Sequence, residues 1–83
     1  MQDHVGYLLG NMKRKQILET LESRGALKSA AIAHLVRLPP KMAEKILAEL
    51  QGRKLIELSG ESYKLTDGGK EAMKKLTKVG AVG

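Results

Sequence analysis

The chain contains no cysteine, no phenylalanine and no tryptophan, and only two tyrosines. The absence of cysteine excludes disulfides, thiolate metal sites and cysteine nucleophiles, and it suits a reducing compartment, so we expect a cytoplasmic protein. Without Phe or Trp the core must be aliphatic. Two tyrosines are also too few for the rows of stacking rings that bind single-stranded nucleic acid.

Targeting and catalytic motifs are missing as well. No apolar run is long enough for a membrane span or signal peptide, and Asp3 stands where a signal peptide would be basic. His4 and His34 are far apart in sequence, and no paired carboxylates or Gly-rich phosphate loop is present. Asp3 and His4 alone are a thin basis for a metal site. We therefore expect no enzyme activity, no cofactor and no metal.

Positive charge is the main excess of the chain. Lys and Arg number 15 against nine acids, a net charge of +6. Such an excess favours binding to phosphates, because each neutralised phosphate releases condensed counterions. Proteins that bind acidic partners have similar compositions, so charge leaves both partners open. A chain of 83 residues forms a single domain with a modest core, part of which a second copy could cover.

Apolar spacing, capping residues and breakers predict four helices and one hairpin in the single domain 1–83. The first predicted helix begins near Asn11, or around Gly6, and ends at Gly25. An extended link at Ala26 and Leu27, which could pair with the hairpin, leads to a second helix capped by Ser29. A third helix from about Pro40 to Gly52, a hairpin between Lys54 and Thr66, and a last helix capped by Thr66 and Asp67 follow. Residues 1–10 form an N-terminal segment and 80–83 a flexible tail. The predicted fold class is mainly α with a small β-hairpin (α+β).

Each helix carries one apolar stripe for the core. The expected buried residues are Ile17, Leu18 and Leu21 on the first helix, Ile32, Ala33, Leu35 and Val36 on the second, Ala43, Ile46, Leu47 and Leu50 on the third, and Ala72, Met73, Leu76 and Val79 on the last. Pro39 and Pro40 predict the turn of a helix-turn-helix, because proline disfavours helical geometry in the residue before it. A hairpin after such a unit and before a further helix is the order of a winged helix.

Three segments in this order carry a family resemblance. They are Leu8-Leu9-Gly10-Asn11 leading through Arg14 to Ile17-Leu18, Leu47-Ala48-Glu49-Leu50 followed by Leu55-Ile56, and Tyr63-Lys64-Leu65-Thr66 with Gly69. The chain resembles archaeal and bacterial winged-helix transcriptional regulators of the broad ArsR-like and MarR-like kind. The resemblance implies a homodimer that binds double-stranded DNA with the third helix in the major groove and the hairpin on flanking phosphates. The chain departs from the family in lacking metal-sensing cysteines and in beginning the third helix with Pro39-Pro40.

The expected DNA contacts lie on the second and third helices, the turn and the wing. They are Lys28, Ser29, Arg37, Lys41, Glu44, Lys45 and Lys64. Lys41 and Lys45 could reach guanine edges or phosphates, or could simply be a solvated face. Glu44 could accept a hydrogen bond from cytosine but would repel phosphate. Because no Arg, Asn or Gln lies between Lys41 and Lys45, we expect an affinity dominated by phosphate contacts.

Backbone amides and hydroxyls add further candidates. Pro39 and Pro40 leave the amides near Lys41 and Met42 for phosphate or for water, and Ser29 could touch phosphate as well as cap its helix. The short wing tip carries Glu61, which predicts a mainly structural hairpin.

The basic run of the first helix and the dimer interface complete the expectations. Lys13, Arg14 and Lys15 are most simply solvated mid-helix residues, although an anionic partner would explain them if the helix begins at Asn11. Two apolar segments outside the helix-turn-helix are expected to form the dimer interface. Their residues are Val5, Tyr7, Leu8, Leu9, Met73, Leu76 and Val79. The rival hypothesis is a winged helix that acts as a protein-interaction module for an acidic partner.

Overall fold

The computed structural model describes residues 12–82, and it describes side chains from residue 12 to residue 75. Four helices and one antiparallel hairpin make up this part of the chain. They are α1 (Met12–Arg24), α2 (Ser29–Leu35), α3 (Pro40–Gly52), β1 (Ile56–Ser59), β2 (Ser62–Leu65) and α4 (Asp67–Val82). This order confirms the α+β winged helix. The predicted cap at Asn11 and the segment 1–10 lie outside the described residues.

Local breakers end and begin the helices where the sequence predicts. Gly25 follows α1 with a φ of 84°, a conformation that glycine adopts without steric cost. Pro40 is the first residue of α3, where its missing N–H group costs no helical hydrogen bond. Thr66 caps α4, since its Oγ1 accepts a 3.0 Å hydrogen bond from the amide of Gly69.

Two details of α2 differ from the prediction. Lys28, in an extended conformation, occupies the N-cap position, and no side chain caps the helix, so the expected cap by Ser29 is wrong. Leu35 is 38% exposed, whereas Val36 is 4% exposed. Of these two residues, both expected in the core, only Val36 is buried; it follows the seven-residue helix, whose last residue is Leu35.

The last helix is longer than expected. Its backbone is helical through Val82, whereas a tail was predicted from residue 80. The flexibility of this last turn stays a prediction, and Gly83 lies outside the described residues.

The extended link pairs with the hairpin as predicted. Leu27 and Tyr63 form an antiparallel bridge in which the Leu27 amide donates to Tyr63 O at 3.0 Å and the Tyr63 amide donates to Leu27 O at 2.7 Å. Within the hairpin, Ile56 faces Leu65 and Leu58 faces Tyr63. The link therefore attaches the wing directly to the segment that leads into α2.

The core is aliphatic, and all four helices and both strands enclose it. Its completely or almost completely buried side chains are Ile17, Leu18, Ile32, Leu47, Leu50, Leu55 and Ile56. Ala43, Ile46, Leu47 and Leu50 form the buried stripe of α3, which confirms the predicted face. Because residues from α1, α3 and β1 share one cluster, the core fixes the position of the wing relative to the helix-turn-helix.

Two basic residues of α1 also hold the helix-turn-helix in place. Lys13 Nζ donates a 2.7 Å hydrogen bond to the carbonyl oxygen of Val36. Arg14 forms a 3.2 Å ion pair with Glu49 of α3, and the two side chains are 23% and 36% exposed. The expectation that Lys13 and Arg14 are merely solvated is therefore wrong, because both side chains cross from α1 to neighbouring elements.

Candidate nucleic-acid interface

The outward face of α3 is the first part of the candidate interface. Lys41, Glu44, Lys45 and Ala48 are all exposed on it. The face exists because apolar residues three and four positions apart hold the opposite side of α3 in the core. Two ammonium groups one helical turn apart thus point away from the protein, with a carboxylate between them.

The first turn of α3 leaves backbone donors available. Pro39, at the N-cap position, makes no side-chain cap. The Ala43 amide donates to Pro39 O at 3.0 Å, but within residues 12–82 the backbone amides of Lys41 and Met42 have no such partner. These two N–H groups lie at the positive end of the helix dipole, where anions are stabilised.

A groove of about 370 Å³ separates the start of α2 from the start of α3. We call it the α2–α3 groove, and its lining residues are Ser29, Ala30, Ala33, His34, Leu38, Pro40 and Glu44. The fold thus brings together two predicted contact residues, Ser29 and Glu44. It adds His34, which is not among the predicted contacts and lies one turn along α2 from Ala30.

The tip of the wing lies beside the start of α2. Lys28 Nζ is 3.3 Å from Glu61 Oε2, and both side chains are exposed. The Leu27–Tyr63 bridge next to this pair explains the proximity, since it aligns the link with β2. The acidic wing tip therefore partly neutralises one of the predicted phosphate contacts.

The remaining predicted contacts line other surfaces. Arg37 has a φ of 57° in the turn after α2 and lines a hollow with Gln16 and Thr20 of α1. Lys64 forms a 3.4 Å ion pair with Glu57 of the neighbouring strand. Neither of them lines the α2–α3 groove. The structure thus groups Ser29 and Glu44, connects Lys28 with the wing, and leaves Arg37 and Lys64 outside that grouping.

Only part of the predicted dimer interface falls on described side chains. Met73 is 4% exposed and belongs to the core cluster, so its assignment to a dimer interface is corrected: its own chain already covers it. Val5, Tyr7, Leu8 and Leu9 lie outside the described residues, and so do the side chains of Leu76 and Val79.

Two kinds of site are absent from residues 12–82. No three His, Asp or Glu side chains of this part of the chain lie close enough together to hold a metal ion. Across the same residues, no helix combines the length and apolar character needed to cross a lipid bilayer.

The architecture defines the class of the protein, and a family comparison agrees. The family described as winged helix-turn-helix matches residues 14–82, and the chain belongs to this family. No curated protein matches the chain in sequence.

The structure is similar to solved structures of MarR-family and ArsR-family regulators, which confirms the resemblance. A MarR family regulator from Neisseria meningitidis is 26% identical with a TM-score of 0.76, over 93% of this chain and 59% of that one. The chain thus spans less than two thirds of that regulator. A homodimeric winged helix-turn-helix DNA-binding domain from Mycobacterium bovis, a possible ArsR-family transcriptional regulator, is 28% identical with a TM-score of 0.71, over 95% and 74% of the two chains.

A third structure shows the same fold at lower identity. The activation domain of the phage T4 transcription factor MotA has a TM-score of 0.79 at 19% identity, over 95% of this chain and 90% of that one.

Proposed function

We propose that this chain is a double-stranded DNA-binding module of a transcriptional regulator, with α3 in the major groove. The observation that carries the proposal is the exposed face of α3, on which Lys41 and Lys45 stand one turn apart. The similarity to a MarR family regulator and to a DNA-binding domain supports it. In such complexes the second helix of the motif enters the groove while the first crosses the backbone.

Phosphate contacts supply most of the affinity in this proposal. Lys41 and Lys45 offer ammonium groups, and the amides of Lys41 and Met42 offer donors at the positive end of the α3 dipole. Ser29 and Lys28 add a hydroxyl and a third ammonium group from the start of α2, and Lys64 of the wing and Arg37 reach phosphates further out along the duplex.

Sequence discrimination is weak in this proposal. Between Lys41 and Lys45, at the start of the exposed face, no Arg, Asn or Gln is available to pair bidentately with a base, and the exposed Gln51 lies at the far end of α3. Glu44 can accept from the amino group of cytosine, and its carboxylate penalises closer approach of phosphates. We therefore expect binding to random-sequence duplex with a modest preference among sequences.

Salt dependence tests the proposal. Binding of a labelled random-sequence duplex is measured against salt, and several phosphate contacts produce a log–log slope of about −0.9 per neutralised phosphate. The double variant Lys41→Gln/Lys45→Gln reduces the magnitude of the slope by about 1 for each phosphate that the variant no longer neutralises. Lys75→Gln, which removes an exposed lysine from α4, is the control and leaves the affinity nearly unchanged. If the wild-type chain does not bind duplex DNA at low salt, the proposal is refuted.

We propose further that the DNA-binding form is a homodimer, because the similar M. bovis domain is homodimeric. The proposed interface comprises Val5, Tyr7, Leu8, Leu9, Leu76 and Val79. Sedimentation velocity at high micromolar concentration should show a dimer. A monomer under those conditions would contradict this assignment.

A second candidate function is a protein-interaction module for an acidic partner. Two observations count against a duplex and so favour this candidate: no Arg, Asn or Gln lies between Lys41 and Lys45, and Glu61 and Glu44 among the candidate contacts oppose close approach of a phosphate backbone. The same salt titration separates the two functions, because an interaction module of this kind has no steep salt-dependent affinity for duplex.

A further inference from the structure

A second concave surface lies between the end of α1, strand β2 and the first turns of α4. Its volume is about 450 Å³. We call it the lysine-rimmed hollow, and its lining residues are Leu21, Glu22, Gly25, Ala26, Lys64, Leu65, Lys70 and Lys74. Leu65 is half-buried and Ala26 is exposed, so the floor keeps accessible apolar surface, while the three lysines are exposed at the rim.

The hollow is separate from the proposed DNA contact through α3. None of its residues belongs to α2 or α3, and the α2–α3 groove shares no residue with it. Only Lys64 of the wing occurs in both the expected DNA contact set and the hollow. A molecule in the hollow therefore leaves Lys41, Lys45 and Ser29 accessible.

The charges around the hollow are unbalanced. Three lysines face one carboxylate, that of Glu22. Lys70 and Lys74 are four residues apart on α4 and so stand on the same side of the helix, a spacing at which like charges destabilise it. Lys64 has an exposed partner, Glu57, which a stronger anionic ligand can replace. An anion bound at the rim would offset this repulsion.

We infer that the lysine-rimmed hollow binds an acidic segment of a partner protein, with one large apolar side chain of the segment on Leu65 and Ala26 and carboxylates on the lysines. Burial of apolar surface requires a ligand that has apolar groups next to its charges. A duplex backbone presents phosphates and sugars and gains little from an apolar floor. A hollow of this size fits a short linear segment rather than a large globular face.

Selection from a random peptide library displayed on phage, with the whole chain as bait, tests the inference. The expected peptides combine Asp or Glu with at least one Leu, Ile, Phe or Trp. The affinity of a selected, fluorescently labelled peptide should fall at least tenfold in Lys70→Glu/Lys74→Glu. It should be unchanged in Lys41→Glu/Lys45→Glu, a charge-matched control whose lysines have the same spacing on α3. Circular dichroism establishes that both variants are folded.

A charge-swapped peptide, with its acids replaced by lysines, should bind Lys70→Glu/Lys74→Glu better than it binds the wild-type chain. This rescue distinguishes recognition from a loss of fold. The inference is overturned if no acidic peptides are enriched or if their affinity is unchanged in Lys70→Glu/Lys74→Glu. It is also overturned if the charge-swapped peptide binds this variant no better than it binds the wild-type chain.

Duplex DNA serves as the competing ligand in the same experiment. If Lys70→Glu/Lys74→Glu weakens duplex binding as strongly as Lys41→Glu/Lys45→Glu does, the rim is a DNA surface and the inference is wrong. Peptide binding does not require that the chain bind DNA. A chain that binds the peptide but not duplex contradicts only the proposed function, and one that binds duplex but not the peptide contradicts only this inference.

Discussion

Replacement of Gly69 by alanine should destabilise the protein, although Gly→Ala inside a helix ordinarily stabilises it. Gly69 is buried in the first turn of α4, against the base of the hairpin. A β-carbon at this position would overlap the carbonyl oxygen of Leu55 and would lie 3.1 Å from the side chain of Leu65. The Leu55 oxygen belongs to the backbone and accepts a 3.1 Å hydrogen bond from Thr66, so it cannot move without loss of that bond.

The size of the effect follows from these contacts. Forcing an extra carbon into a packed site costs about 1 to 3 kcal/mol. Loss of the Thr66–Leu55 hydrogen bond adds about 1 kcal/mol, and the gain in helix propensity returns about 1 kcal/mol. The net change is a loss of about 1 to 3 kcal/mol in the free energy of unfolding. For a domain of this size, 1 kcal/mol corresponds to about 4 to 8 °C in Tm.

Thermal and urea denaturation followed by circular dichroism measure this change. Gly52→Ala is the matched control, because Gly52 ends α3 and a β-carbon there meets no atom within 4 Å. We expect the control to leave Tm unchanged or to raise it by a few degrees. If Gly69→Ala is as stable as the control, the close approach of α4 to the carbonyl of Leu55 does not exist and the reasoning fails.

Three further experiments test individual interactions. Thr66→Ala removes the cap of α4 and a 2.6 Å hydrogen bond to Lys54 O. Urea denaturation should show that the free energy of unfolding falls by about 1 to 2 kcal/mol. A fall of less than about 0.5 kcal/mol would contradict the cap. A double-mutant cycle with Arg14→Met and Glu49→Met should give a coupling energy of about 1 kcal/mol, and strict additivity would show that the ion pair contributes nothing. Glu61→Gln releases Lys28 from its ion pair, so duplex affinity at low salt should rise about two- to fivefold. Glu71→Gln, which removes an exposed acid of α4, is the control and should have a smaller effect. Equal effects of the two variants would show that only the net charge of the protein matters.

The order of the elements and several of their bounds were predictable because local chemistry sets them. Pro40 begins α3, Gly25 follows the end of α1, and Thr66 caps α4. The buried stripe of α3 was predictable for the same reason, since the period of a helix converts spacing along the chain directly into a face. These signals depend on residues a few positions apart, and they were sufficient to identify the winged helix.

The candidate site was predictable only in part. The outward face of α3 follows from its stripe, and so Lys41, Glu44 and Lys45 lie where expected. The pairing of Lys28 with Glu61 joins residues that are remote in sequence, and it requires the bridge between Leu27 and the wing. No pattern along the chain reports such a pair.

By itself, then, the sequence determined the fold class, the helix-turn-helix and the exposed basic face of α3, because periodicity and breakers act locally. Only the tertiary structure decided that Arg14 reaches Glu49 and that Leu35 stays outside the core while Val36 enters it. It likewise brought three lysines around one apolar hollow. The physical reason is that packing between elements selects which side chains meet, and many arrangements of the same helices are compatible with one pattern of spacing.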